Sequence, residues 1–303
     1  MAATPIRTIL DAQDAAGWWV KPGPGYGGTY TGTTWSLIFL EQMGADGADP
    51  GIARGCDYLL DHTQATSGGF GYGGWADEAR RPPPSAVIHC LTGNLLRALI
   101  RFGWLDDPRT QAAIAWQASA VTGDDDVRWY RSATSGPGFA CGVNEQRPCG
   151  WGAVKALRGL AAIPPARRSP GVQAAIDASV AFLLSRDPAV ADYPMGWGNT
   201  RPSGSWFKLG FPSGYVADVL QVVEVMGELG LAGDPRLDHA LDVVRAKRDA
   251  TGRWRNENPY RGKTWIDVDE PRAPSKWVTL RALRVLRAVE PSFGTGHLEP
   301  AAV

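Results

Sequence analysis

The chain of 303 residues carries 31 Lys and Arg against 31 Asp and Glu, a formal net charge of zero at pH 7. That balance excludes the basic footprint of a nucleic-acid binder or a polybasic membrane-surface protein, and 44% hydrophobic with 20% charged residues excludes a disordered chain. Its 13 Trp outnumber 8 Tyr and 8 Phe, and so many indoles need either loop–core anchoring or an aromatic-lined cavity.

In chain order, Pro5 to Gln13 reads as a short helix running into Gly17-Trp18-Trp19. Five apolar segments then recur, ending at Gly44, Gly103, Pro164, Gly230 and Glu290, a repeat of about sixty residues. Each places apolar residues at i, i+3, i+4 and i+7 over much of its circumference, as a helix buried on nearly all sides does. Inner helices are therefore expected near 33–44, 86–103, 149–163, 213–230 and 275–289. Four of them are followed by a second start signal: Asp49-Pro50, Asp107-Pro108, Ser169-Pro170 and Asp234-Pro235. Asp or Ser as N-cap with Pro at the first helical position opens a helix. These outer helices (51–64, 109–119, 171–185, 236–248) run into Gly68-Gly69-Phe70, Trp129-Tyr130, Gly196-Trp197 and Gly252-Arg253-Trp254. The last inner helix lacks an outer partner, and the first outer helix lacks an inner one. Pairing the two ends gives one all-α domain over 1–303, a closed α/α toroid of five to six helix pairs, and no strand of convincing alternation appears.

No apolar run approaches the ~18–20 residues of a membrane span, and the N-terminal stretch has no signal-peptide core. The expectation is a cytoplasmic protein whose Cys56, Cys90, Cys141 and Cys149 are reduced.

The sequence Lys247-Arg248-Asp249-Ala250-Thr251-Gly252-Arg253-Trp254 resembles the QW-type repeat of squalene–hopene cyclases and protein prenyltransferase β subunits. Gln13…Gly17-Trp18 and Gln64…Gly68-Gly69-Phe70 are looser versions. The resemblance spans most of the chain and implies a barrel whose central cavity holds an isoprenoid. Linalool dehydratase-isomerase, another α/α barrel in which a cysteine pair contributes to the site, is similar in style.

Superposing the inner helices on their C-terminal ends stacks their residues in levels. The mouth gathers Tyr30, His89, Cys90, Cys149, Trp151, Tyr215 and Trp277. A belt follows, made of Trp35, Asn94, Lys155, Gln221 and Arg281, with four polar residues that would be costly there unless they bond one another or a ligand. Leu40, Leu99, Leu160, Met226 and Leu286 make an aliphatic floor. Such a graded pocket is the default binding site.

Three clusters carry candidate chemistry. Asp267, Asp269 and Glu270, in 266-IDVDEP-271, resemble the Asp-x-Asp-Asp acid of class II terpene cyclases, with Glu in place of the last Asp; clustered carboxylates raise one another's pKa. Cys90, Cys141, Cys149 and His89 could hold zinc, as prenyltransferases do, although the Asp-x-Cys ligand pair of that family is missing. A metal-free cysteine pair acting as acid and base is the other option. Asp124-Asp125-Asp126 lies in a loop and reads as a solvated charge run. The glycine clusters 23–32 and 68–75 read as rim loops whose Tyr26, Tyr30, Tyr72 and Trp75 cover the cavity, and such faces suit a carbocation.

The leading expectation is an enzyme acting on an isoprenoid or other apolar substrate by protonation and carbocation chemistry. Asp269, Asp267 and Glu270 are the acids, with Cys149, Cys90 and His89 as further catalytic candidates. Tyr30, Trp35, Asn94, Trp151, Tyr215, Asp218, Gln221, Trp277 and Arg281 line the substrate. Alternatives are a zinc-dependent prenyltransferase and a non-catalytic terpenoid or lipid carrier. A carbohydrate-active barrel suits carboxylates and Trp platforms but not an aliphatic floor. A single barrel needs loops or a second copy of the chain to complete its cavity.

Overall fold

The structure, a computed structural model, describes residues 4–293 apart from 24–25, 28, 73–80, 125–127, 130–131, 134–135, 192, 194–201 and 271. Trp75, Asp125, Asp126, Tyr130, Gly196 and Trp197 lie outside the described residues.

The helices are α1 (Pro5–Asp11), α2 (Thr33–Gln42), α3 (Pro50–His62), α4 (His89–Arg101), α5 (Pro108–Thr122), α6 (Gly150–Ala161), α7 (Pro170–Leu184), α8 (Val219–Glu228), α9 (Asp238–Ala246) and α10 (Lys276–Val289). The protein is all-α in character, and the even-numbered helices are the expected inner ones. Every residue of α6 is buried, as are eight of the ten residues of α2. Asp49, Asp107 and Ser169 cap α3, α5 and α7 ahead of Pro at the first helical position, as the start signals require. Asp234 caps a 3₁₀ turn, Pro235–Leu237, that leads into α9.

Inner helices pack in order, α2 on α4, α4 on α6, α6 on α8 and α8 on α10, while α3, α5, α7 and α9 back them. The α4–α6 crossing is close enough that only glycine fits: a Cβ on Gly93 would lie 2.3 Å from the Lys155 carbonyl oxygen, and one on Gly159 would lie 2.5 Å from that of Gly93. No helix of the described residues is long and apolar enough to cross a membrane.

The glycine–aromatic loops perform one repeated task. The indole N–H of Trp19 donates to the Ile9 carbonyl (2.7 Å), that of Trp254 to the Val244 carbonyl (2.7 Å), and the Tyr193 hydroxyl to the Leu183 carbonyl (2.5 Å), each ten residues back. The ring thus hooks the end of its own outer helix, giving a last-turn carbonyl a strong donor beside the longer backbone bond that Ile9 and Val244 also accept (3.2 and 3.3 Å). The backbone N–H groups of Trp19, Phe70 and Trp254 in turn donate to Thr33, Thr92 and Thr279 on the inner helices. Gly17, Gly68 and Gly252 make these turns at positive φ (100°, 101° and 81°). Gln13 and Gln64 donate to the carbonyls of Gly17 and Gly68 and also to those of Gly51 and Arg109, tying each outer helix to the next.

The segments that lead into α2 and α10 bond to each other along a seam. Tyr30 N–H donates to the Lys263 carbonyl (2.8 Å), and the Trp265 indole donates to Thr31 and Ser36 at the start of α2. A buried strap, Leu209 to Gly214, bonds Gln42 at the end of α2 and Arg281 on α10. Its backbone groups bond side chains instead of a ladder. Asn256 and Gln42 each form a reciprocal pair, with Phe211 and Ser213, while Asp218 accepts from Gly210 N–H and Arg281 donates to the Gly210 carbonyl. A buried irregular segment is tolerated only when its polar groups are answered in this way.

One expectation needs correction. The helix expected over 213–230 begins at Val219, because the Asp218 side chain caps Gln221 N–H and the strap occupies the preceding residues. Two short ladders accompany the helices: β1 (Arg128–Trp129) pairs with β2 (Ser132–Ala133), and β3 (Ala140–Cys141) with β4 (Arg147–Pro148). Two-residue ladders are too short to show any alternation in sequence.

Candidate functional site

At the N-terminal ends of the inner helices, sulfur and phenol groups converge. Cys149 is the N-cap of α6, its Sγ accepting from Gly152 N–H at 3.4 Å; Cys90 lies in the first turn of α4, and Cys141 on β3. The Cys141 and Cys149 thiols hydrogen-bond each other, and this bond, with burial, pushes the Cys149 thiol well above its ordinary value. Burial, with Cys141 adding, pushes the Cys90 thiol up to about 12. Both are therefore protonated at neutral pH and are donors rather than nucleophiles. Burial also raises the Tyr26 and Tyr215 phenols, to which Cys90 contributes electrostatically in both cases.

Aromatic faces wall this cluster. Tyr26 stacks on Trp35 (5.3 Å between centroids, 25°), Tyr30 meets Trp35 edge-on at 4.8 Å, and Trp151 meets Tyr215 edge-on at 5.6 Å. Tyr26 also approaches Tyr72 at 6.4 Å and Tyr215 at 6.5 Å. Tyr26, Tyr30, Tyr72, Tyr215, Cys90 and Cys141 are half-buried rather than buried, so this layer keeps accessible surface.

His89 is buried with its ring edge-on to Phe139 at 5.9 Å and against α6, where a Cβ on Gly152 would come 2.1 Å from Nε2. Burial lowers it to about 4, so it is neutral. Among the described residues no three His, Cys, Asp or Glu side chains stand where they could hold a metal ion, which leaves the zinc set of Cys90, Cys141, Cys149 and His89 without a metal-binding arrangement.

One level down, the belt is as buried as its positions require: Trp35, Asn94, Lys155, Gln221 and Arg281 are all 8% exposed or less. Gln221 Oε1 accepts from Lys155 Nζ (2.8 Å) and from Arg158 Nη1 (3.1 Å). Burial and the neighbouring Arg158 hold the Lys155 ammonium well below its ordinary 10.5, so the unfolded chain binds the extra proton and folding stability rises with pH toward that value. Lys155→Met is expected to stabilise the protein by about 1 kcal/mol at pH 7 and to remove this alkaline gain. Urea melts of both proteins across the alkaline range measure it, and equal pH slopes would mean that the folded state keeps Lys155 charged.

The floor is not aliphatic. Leu40, Leu99, Leu160, Met226 and Leu286 are core residues, none of which lines a cavity of about 590 Å³ at the C-terminal ends of the inner helices. Charged side chains line it instead. Arg97 donates to both carboxylate oxygens of Glu228 (2.7 and 2.8 Å) and lies 3.3 Å from Glu41. Arg281 clamps Glu224 through two bonds (2.6 and 2.7 Å). Sequence reasoning missed Glu41, Arg97, Arg158, Glu224 and Glu228, although most stand three or seven residues after a belt position, on the same helix face. Trp277, expected at the mouth, stacks flat on Phe211 (4.7 Å, 7°) and lines this lower cavity together with Arg281.

The acidic segment stands apart from the cavity. Asp267 and Glu270 are exposed; Asp267 accepts from Gly262 N–H (3.1 Å), and the half-buried Asp269 accepts from Asn256 Nδ2 (2.7 Å). Asp124 accepts from the Thr122 hydroxyl at the end of α5. Asp218 is buried as the cap of α8, with burial raising its carboxyl against the pull of Arg281. Compared with known proteins, the chain matches no family model and no curated sequence.

Proposed function

We propose that the inner helices complete a closed α/α toroid, and that the protein is a terpenoid cyclase-like enzyme acting on an isoprenoid or other apolar substrate by protonation and carbocation chemistry. The observation that carries this reading is the convergence of Cys90, Cys141 and Cys149 with Tyr26 and Tyr215 on walls formed by Trp35 and Trp151. The bonds across the seam and the repeated glycine–aromatic hooks support the ring.

The cluster suits loss of water from an allylic alcohol. A protonated thiol gives its proton to the substrate hydroxyl, the C–O bond breaks and water leaves. The aromatic faces hold the allylic cation, and the thiolate takes a proton from the adjacent carbon, leaving an alkene and restoring the thiol. Re-addition of water at the other end of the cation is isomerisation. Burial keeps the donors protonated. The thiol–phenol cluster carries the acid's role better than Asp267, Asp269 and Glu270, because two of those three are exposed.

The test incubates the purified protein with acyclic allylic isoprenoid alcohols and follows dehydration, isomerisation and cyclisation by gas chromatography–mass spectrometry. Turnover is expected, and Cys149→Ser is expected to lower it by about 100-fold or more, with Asp269→Asn close to wild type. Loss in Asp269→Asn with full activity in Cys149→Ser would transfer the acid's role to the acidic segment. Binding of the alcohol without turnover would overturn the enzymatic reading in favour of a terpenoid carrier.

A further inference from the structure

The cavity at the C-terminal ends of the inner helices contains a cation that no carboxylate of its described lining pairs with directly. Three glutamates line it, and three arginines already hold them: Arg97 bridges Glu41 and Glu228, Arg101 lies 3.8 Å from Glu228, and Arg281 takes Glu224. Arg158 is 7% exposed and lines the same cavity. Among the described residues it has no carboxylate within ion-pair distance, and its side chain donates only to the neutral oxygen of Gln221. With Arg101 and Arg284 also in the lining, five arginines face three glutamates.

A buried guanidinium without a directly paired counter-charge is costly. Its place in the last turn of α6 brings it the negative end of the helix dipole, equivalent to about half an elementary charge, while Glu224 and Glu41 attract it only from beyond ion-pair distance and Arg97 and Arg281 repel it. The Phe211–Trp277 stack forms an apolar wall in the same cavity. Space, unmatched positive charge and a fork of N–H donors together define an acceptor for a planar or tetrahedral oxyanion.

We propose that this cavity binds a small oxyanion-bearing ligand, a carboxylate or a phosphate, whose charged oxygens pair with Arg158. The site lies at the opposite end of the inner helices from the thiol–phenol cluster and does not rest on the function proposed for that cluster.

Titration calorimetry and thermal melts at low ionic strength test it, with octanoate and inorganic phosphate as the two probes. At least one should bind saturably, one per chain, and raise Tm. Octanoate alone identifies a carboxylate with an apolar body against Trp277, phosphate alone identifies a phosphate group, and binding of both identifies the shared oxyanion. Arg158→Met keeps the volume and removes the charge. It is expected to weaken binding by about tenfold or more and to melt, without anion, no lower than wild type. Should that variant fail to fold, Arg284→Gln on the exposed rim carries the test, with a several-fold weaker affinity expected. Failure of both probes to bind the wild type, or unchanged affinity in the variant that folds, overturns the proposal.

Discussion

Trp254→Ala is expected to destabilise the protein by about 4 kcal/mol. The indole is fully buried. Its Nε1 donates to the Val244 carbonyl, its backbone N–H is held by Thr279, and Arg248 lies over its ring at 6.0 Å. Truncation opens a cavity between α9 and α10 and at the same time leaves the Val244 carbonyl only its 3.3 Å bond from Lys247 N–H, so the two costs add. Urea unfolding measures the loss, with Val190→Ser at a position 59% exposed as the neutral comparison. A change below about 1 kcal/mol would show that the glycine–aromatic hook does not anchor the outer helix. Trp19→Ala makes the same test at the other end of the chain, where Ile9 and Thr33 stand in for Val244 and Thr279.

Glu224→Gln is expected to cost about 3 kcal/mol, because removing one partner of a buried ion pair leaves the other charge uncompensated. Arg281 keeps the Gly210 carbonyl and Ser213 Oγ as partners, but the neutral amide of Gln faces a guanidinium it cannot balance. Burial pushes the Glu224 carboxyl up, yet Arg281, Arg158 and Arg97 outweigh that effect and hold it below its ordinary 4.5. A carboxylate whose folded pKa is depressed contributes stability that is complete above the unfolded value and is lost as pH falls through the folded one. Below about pH 4.5 the wild type should therefore lose stability while the variant loses less, and their melts should draw together in acid. Glu228, held down by Arg97, adds to the slope in both proteins. Parallel pH profiles would show that Glu224 is not ionised against Arg281.

The helices were legible because their signals are local. Asp-Pro and Ser-Pro starts fix the outer helices, and near-continuous apolar runs such as those of α2 and α6 mark the inner ones. The belt was legible too, since Asn94, Lys155, Gln221 and Arg281 interrupt those runs at one level. The charged lower cavity was not read, although Asn94, Arg97 and Arg101 share one face of α4, and Gln221, Glu224 and Glu228 share one face of α8. Counting down from the belt by five residues instead of three or seven lands on Leu99 and Met226, which face the neighbouring helices, and so an aliphatic floor was expected where charges converge. The strap escaped for a different reason. Its apolar residues read as a helix start, and the side chains that answer its backbone come from Gln42 and Asn256, far along the chain in both directions.

That strap sets the order in which the molecule can be completed. The Gln42–Ser213 pair spans 171 residues, and Trp265 reaches back 234 residues to Thr31. Such contacts carry the largest loop-closure entropy in the fold and are rewarded only after the intervening helices have packed. A chain emerging N-terminus first can stack α1 to α8 as neighbours become available, yet at that stage Arg158 borders a trough rather than a cavity, since Trp277 and Arg281 have not been made. Completion of the lower chamber thus waits on α10, and α2 and α10 are coupled through a segment that belongs to neither.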